Sequence, residues 1–134
     1  MGTYQTKIVG DLICSKLVGE LNSELSSEWI AGLETQELDK SKTLHRLHDV
    51  REINAIHLSF DDLWAVAQRR LSTYEMCEKT LTVFWVSTPL NYGVARMYQA
   101  LTDGTPFKIE VLYKIEEVAK FLNVDLETVK NIKF

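Results

Sequence analysis

The sequence predicts an α/β domain, a mixed and mostly parallel sheet of four or five strands flanked by about four or five helices. Three observations carry that expectation. Runs rich in β-branched and aromatic residues alternate with amphipathic helical stripes, the order that right-handed crossovers turn into a parallel sheet. The run TLTVFWV, residues 80–86, is almost wholly apolar, as a strand buried on both faces must be. The first two strand-like runs flank Gly10-Asp11, a turn signal, so the sheet opens with an antiparallel hairpin.

The hairpin strands are expected around Lys7 to Leu12 and Ile13 to Leu21. Leu25, Trp29, Leu33 and Leu38 then recur at near-helical spacing, with Asn22 or Ser23 placed to cap the helix and Glu24 and Glu28 near its positive end. After Asp39-Lys-Ser-Lys42, the segment TLHRLHDV is too short for an independent helix and is assigned as a strand. The following REINAIHL is expected to be a connector that tucks in Ile53 and Ile56. Ser59 and Asp62 form a capping box for a helix whose apolar stripe is Phe60, Leu63, Ala67, Leu71 and Tyr74.

After the 80–86 strand, Ser87 or Thr88 caps a helix and Pro89 suits its first turn. Helical spacing groups Leu90, Val94, Met97 and Leu101 as the docking face and sets Tyr92, Arg96 and Gln99 opposite. Tyr92 and Arg96, four apart, are placed to stack. Gly93 costs helix propensity, which predicts a close approach by a helix, a second subunit or a ligand. Asp103-Gly-Thr-Pro106 ends the helix, FKIEVLY is the last strand, and Ile115, Val118, Ala119 and Leu122 mark another helix. A final short helix starts at Asp125.

At 134 residues one domain over 1–134 suffices, and such a chain buries roughly two-thirds of its unfolded surface. Composition is that of an ordinary soluble protein, 46% hydrophobic and 25% charged. The net charge of -4 and the scattered Lys and Arg argue against nucleic acid as a partner. No segment approaches the ~20 apolar residues of a membrane span. Cys14 and Cys77, far apart and without CxxC spacing, read as reduced, buried thiols of a cytoplasmic protein.

The element order, with VGEL at the second strand, LHDV at 47–50, LSFDDL at 58–63, YGVARMY at 92–98 and FKIEVLYKIEEVAKFL near the end, resembles the SpoIIAA-like proteins, related to STAS and CRAL-TRIO domains. The resemblance covers about Ile8 to Leu122 and implies a βα superhelix in which most members have no assigned reaction. The phosphorylatable DSSG-like motif of STAS antagonists is missing: Val50-Arg-Glu-Ile53 follows Asp49, and the next helix-opening serine is Ser59.

Metal binding needs three or four convergent ligands. His45 and His48 are separated by an odd number of strand positions and point to opposite faces, so neither a metal nor another cofactor is expected. Both are expected to be solvated or hydrogen-bonded. Nucleophile elbows and phosphate loops are missing from the sequence as well. Trp29, Trp64, Trp85, Phe60 and Phe84 are the rings a lipid pocket would use, but stripe and strand positions assign them to the core.

Ligands of open α/β sheets gather beyond the carboxyl ends of parallel strands. Those ends carry Asp49, Arg51, Ser87, Thr88 and Asn91, beside the helix face of Tyr92, Gly93 and Arg96. The leading expectation is a non-enzymatic binding or regulatory domain that meets a protein partner or a small anionic ligand there. The alternatives are a carrier or sensor of a small apolar or amphipathic ligand such as a fatty acid, and an uncharacterised enzyme using His48, Asp49 and Ser87. A homo-oligomer stands open beside a monomer.

Overall fold

The computed structural model describes residues 1–38, 44–73, 80–105 and 107–134. Expectations for Cys77, for Tyr74 in the second helix and for Pro106 as a terminator lie outside the described residues, as does the side chain of Leu38. The elements are β1 (Thr3–Val9), β2 (Leu12–Asn22), α1 (Ser23–Leu38), β3 (His45–His57), α2 (Phe60–Thr73), β4 (Thr80–Trp85), α3 (Pro89–Leu101), β5 (Phe107–Leu112), α4 (Ile115–Leu122) and α5 (Leu126–Lys130).

The five strands lie in chain order in one sheet. β1 runs antiparallel to β2, and β2 through β5 are parallel. Gly10 takes the positive φ of 58° that the hairpin turn needs. Strands added in one direction by right-handed crossovers place every crossover helix on the same face. α1 and α3 accordingly share a core with Ile13, Leu17, Val50 and Val86. α4 and α5 cover the other face through Val118, Ala119, Leu122 and Val129, packed on Leu12, Cys14, Leu47, Val83 and Trp85. Phe84 and Trp85 thus serve opposite cores, as strand alternation requires.

The cap residues behave as their chemistry dictates. Asn22 Oδ1 accepts from Leu25 N at 2.8 Å. Ser59 Oγ accepts from Asp62 N at 3.1 Å while Asp62 Oδ2 accepts from Ser59 N at 2.9 Å, a reciprocal box that gives Ser59 a structural task. Thr88 Oγ1 accepts from Asn91 N at 3.2 Å.

Residues 51–57 are strand, not connector. Between the pairs Lys16↔Asp49 and Val18↔Glu52, and again between Gly19↔Ile53 and Glu20↔Ala55, β3 advances one residue more than β2. Each such bulge reverses the side-chain alternation. Val50, Ile53 and Ile56, three apart in sequence, therefore all point towards the α1–α3 side.

The docking face of α3 also differs from the expected one. Asn91 and Ala95 are its buried residues, whereas Leu90 and Met97 are about half exposed. Gln99, expected to point outward, instead donates its Nε2 to the Ile109 carbonyl on the edge strand. α3 leans on the sheet through polar and small side chains beside a cavity whose lining is mainly apolar. On α2, Leu63, Ala67 and Arg70 face inward, and Phe60 is exposed outside the stripe assigned to it.

Candidate functional site

β3 projects Arg46, His48 and Val50 towards the three crossover helices and Leu47 and Asp49 to the opposite side. Around the first set lies a cavity of about 100 Å³. Leu21, Ile53, Ile56, Leu58 and Leu63 make its wall apolar towards the carboxyl ends of the strands. Arg46, Arg70, Thr82 and Tyr98 make it polar towards the amino ends. Its middle is aromatic: the Trp29 ring meets His48 edge-on at 4.8 Å, His48 lies 5.2 Å from Phe84, and Phe84 lies 5.7 Å from Tyr98.

The ionised groups at the polar end are held by one another. Arg70 forks onto Glu37, with Nη1 at 3.1 Å and Nη2 at 2.7 Å, and Arg46 Nε donates to the same carboxylate at 2.6 Å. Arg46 also donates to the Leu44 carbonyl. Both guanidinium groups are buried. Burial pushes the Tyr98 phenol up to about 12, so its ring stays neutral.

Two residues that line the cavity each carry a buried polar atom with no hydrogen-bond partner among the described residues, His48 Nδ1 and Asn91 Oδ1. His48 is 4% exposed and Asn91 2%. Burial, then the charges of Arg70 and Arg46, lower the His48 pKa well below 6.5, so the imidazole is neutral. Asn91 spends its amide nitrogen on two carbonyls of the bulged strand, Val50 O at 2.9 Å and Ile53 O at 3.3 Å. A buried polar group left unpaired costs on the order of 1–3 kcal/mol, which makes these two atoms the least satisfied part of the wall.

The other residues assigned to a site from the sequence form a separate arrangement. Asp49 is buried, and Arg51 forks onto it with Nε and Nη2 each at 3.0 Å. The same guanidinium stacks 3.4 Å above the Trp85 ring. Ser87 Oγ donates to the Arg51 carbonyl at 2.7 Å. Thr88 is a helix cap, and its carbonyl receives the Tyr113 hydroxyl at 3.5 Å. Tyr92 is half buried, stacks on Tyr113 at 5.3 Å and has Arg96 Cζ 5.9 Å from its ring. A Cβ built on Gly93 meets no described atom within 4 Å, so no intramolecular approach among the described residues accounts for that glycine.

A hollow of about 290 Å³ adjoins Asp49, Arg51 and Trp85, with Lys16, Lys130 and Phe134 on its rim. It is larger than the cavity, yet its charged groups already hold partners: the Asp49–Arg51 fork, Lys16 with Glu52 at 2.7 Å, and Lys130 with Glu127 at 3.8 Å. Of the two, the smaller cavity is the one whose lining residues carry buried polar atoms without a partner among the described residues. It is therefore the better candidate.

His48 and Asp49 face opposite sides of the sheet and Ser87 is tied to Arg51, so these three do not converge as a catalytic group. His45 also faces away from His48 in the strand, and its Nδ1 accepts from Leu81 N at 3.0 Å. Among the described residues no three His, Cys, Asp or Glu side chains gather as metal ligands. No described helix is long and apolar enough to cross a membrane.

Arg46, Arg70 and Tyr98 were not legible as site residues, and His48 was expected to be solvated or hydrogen-bonded. The signal was present in two places. Arg46 and His48 share strand parity with Val50, and Arg70 follows Leu63 and Ala67 at the i+7 position of the buried stripe.

No family model matches the chain, and no curated protein matches it in sequence. Among solved structures it is similar to an uncharacterised protein of the DUF3478 family with a SpoIIAA-like fold from Shewanella loihica PV-4. The TM-score is 0.60 at 16% identity, over 90% of this chain and 93% of that one. The fold is thus the SpoIIAA-like one, the mixed five-stranded α/β arrangement expected from the sequence.

Proposed function

We propose that this chain is a non-enzymatic binding protein that takes a small, compact and mainly apolar molecule into the cavity between the sheet and α1–α3. One observation carries the reading: an apolar cavity of about 100 Å³ whose wall includes two buried polar atoms without partners among the described residues. A void of that size forfeits about 2 kcal/mol of packing, and an occupant recovers part of it. The volume also limits the ligand. A cavity of ~150 Å³ takes up benzene, so this one, at about 100 Å³, admits at most one small ring or short branched chain, with wall side chains shifting to fit it, and is too small for a fatty acid.

The test is thermal unfolding of the full chain with toluene, alongside an Ala95→Leu variant that fills the space beside α3. Toluene is expected to raise the wild-type Tm by roughly 2–5 °C at concentrations well above Kd. Ala95→Leu is expected to abolish the shift. Equal shifts in the two proteins, or none in the wild type, would remove the reading.

A second reading, contact with a protein partner, draws on a different observation. Phe60 and Trp64 on α2, and Leu90 and Met97 on α3, are all about half exposed. Gly93 shares the outer face of α3 with Leu90 and Met97 by helical spacing. A concentration series in sedimentation velocity tests self-association through that surface, and a monomer at every concentration counts against a second copy as the partner.

A further inference from the structure

We infer, resting on the cavity reading above, that the ligand is a small uncharged molecule of phenol type, with an apolar body and one hydrogen-bond donor that Asn91 Oδ1 accepts. The orientation of Asn91 is settled by its surroundings. Its Nδ2 donates to the carbonyls of Val50 and Ile53, and a flipped amide would set Oδ1 against those two oxygens. Oδ1 is therefore the atom of this lining residue that has no partner among the described residues, and a carbonyl oxygen accepts only from a donor.

His48 supplies the second polar point. It precedes Val50, whose carbonyl Asn91 holds, by two residues on the same side of β3. The imidazole is neutral and can give or accept one hydrogen bond, depending on its tautomer. A hydroxyl, which both donates and accepts, meets either requirement.

The charge of the ligand follows from the cations in the wall. Arg46 and Arg70 share the Glu37 carboxylate at the polar end of the cavity, so both guanidinium groups are engaged away from Asn91. An ionised carboxylate at the Asn91 end, beside Ile53 and Leu63, would be buried among apolar side chains and would meet the Asn91 carbonyl oxygen with no proton to donate. A neutral hydroxyl or N–H avoids that cost.

Calorimetric titration of the full chain with toluene, phenol and benzoate tests the inference. The three probes share a ring and differ in the donor and the charge. Phenol is expected to bind at least about tenfold more tightly than toluene, with benzoate weaker than phenol. Asn91→Leu is expected to bring phenol down to the level of toluene. Should that variant fail to fold, the wild-type series still decides, together with the Asn91 side-chain amide resonances, which are expected to shift further with phenol than with toluene.

Equal binding of toluene and phenol, the result expected if water alone satisfies Asn91 and His48, would overturn the inference and leave the cavity reading standing. Tighter binding of benzoate than phenol would overturn it in favour of an anionic ligand. Failure of all three probes to bind would remove both the inference and the reading beneath it.

Discussion

The Asn91 side-chain amide donates to the Val50 carbonyl across 2.9 Å, tying the first turn of α3 to the strand where β3 bulges. A bulge takes a residue out of the regular ladder, and buried carbonyls there need another donor. Asn91 serves Val50 and Ile53 together. Asn91→Leu is expected to lower stability by about 2–3 kcal/mol, because the leucine leaves both acceptors without this donor. Urea unfolding measures it. A loss under about 0.5 kcal/mol would mean that the carbonyls find other donors.

That bond also explains what the sequence concealed. Regular alternation identifies a strand, but the two bulges of β3 place Val50, Ile53 and Ile56 at intervals of three, which reads as a connector with tucked-in residues. The caps were legible because their chemistry is local: Asn22, Ser59 with Asp62, and Thr88 bond within three residues. The docking face of α3 was legible only in part: apolar periodicity picks Leu90, Val94 and Met97, of which Val94 reaches the cavity beside Asn91 and Ala95 while Leu90 and Met97 are about half exposed. A cavity is made by three helices and a sheet together. No single stretch of sequence announces it.

His48 predicts a pH dependence with a definite sign. Its pKa in the folded state lies well below 6.5, from burial first and the charges of Arg70 and Arg46 after it. The unfolded chain therefore binds a proton at this site before the folded one does, and stability falls as the pH drops below about 6.5 towards the folded pKa. The slope from this residue is at most about 1.4 kcal/mol per pH unit. Urea midpoints at pH 7, 6 and 5.5 are expected to decline more steeply in the wild type than in His48→Leu. His45 and His57 are common to both proteins, so the difference isolates His48. Parallel profiles would show that His48 titrates alike in the folded and unfolded chains.

Glu37 and Glu34 offer a contrast between buried and exposed ion pairs on one helix. Glu37 meets Arg70 and Arg46 where all three side chains are nearly buried, whereas Glu34 pairs with Arg69 at 2.7 Å nearer solvent. Breaking a buried pair leaves a charge that is costly to keep out of water. Glu37→Gln is expected to cost about 3–5 kcal/mol, and Glu34→Gln less than about 1 kcal/mol. Chemical unfolding of the two variants side by side gives the comparison. Similar losses would show that solvent reaches the Glu37 cluster.

Gly93 separates the two explanations of a glycine in mid-helix. It lies within α3 without a positive φ, and a Cβ there meets no described atom within 4 Å. Alanine fits the isolated chain and restricts its unfolded state, so Gly93→Ala is expected to stabilise the monomer by about 0.5–1 kcal/mol. If another molecule packs on Leu90, Gly93 and Met97, the added methyl group stands in its way. Sedimentation velocity then shows weaker association in Gly93→Ala, although thermal unfolding at low concentration shows a higher Tm. A gain in stability with unchanged association removes the glycine from the contact surface. A loss of stability in the dilute monomer would mean that the helix cannot accept a side chain there, against the open space around its Cβ position.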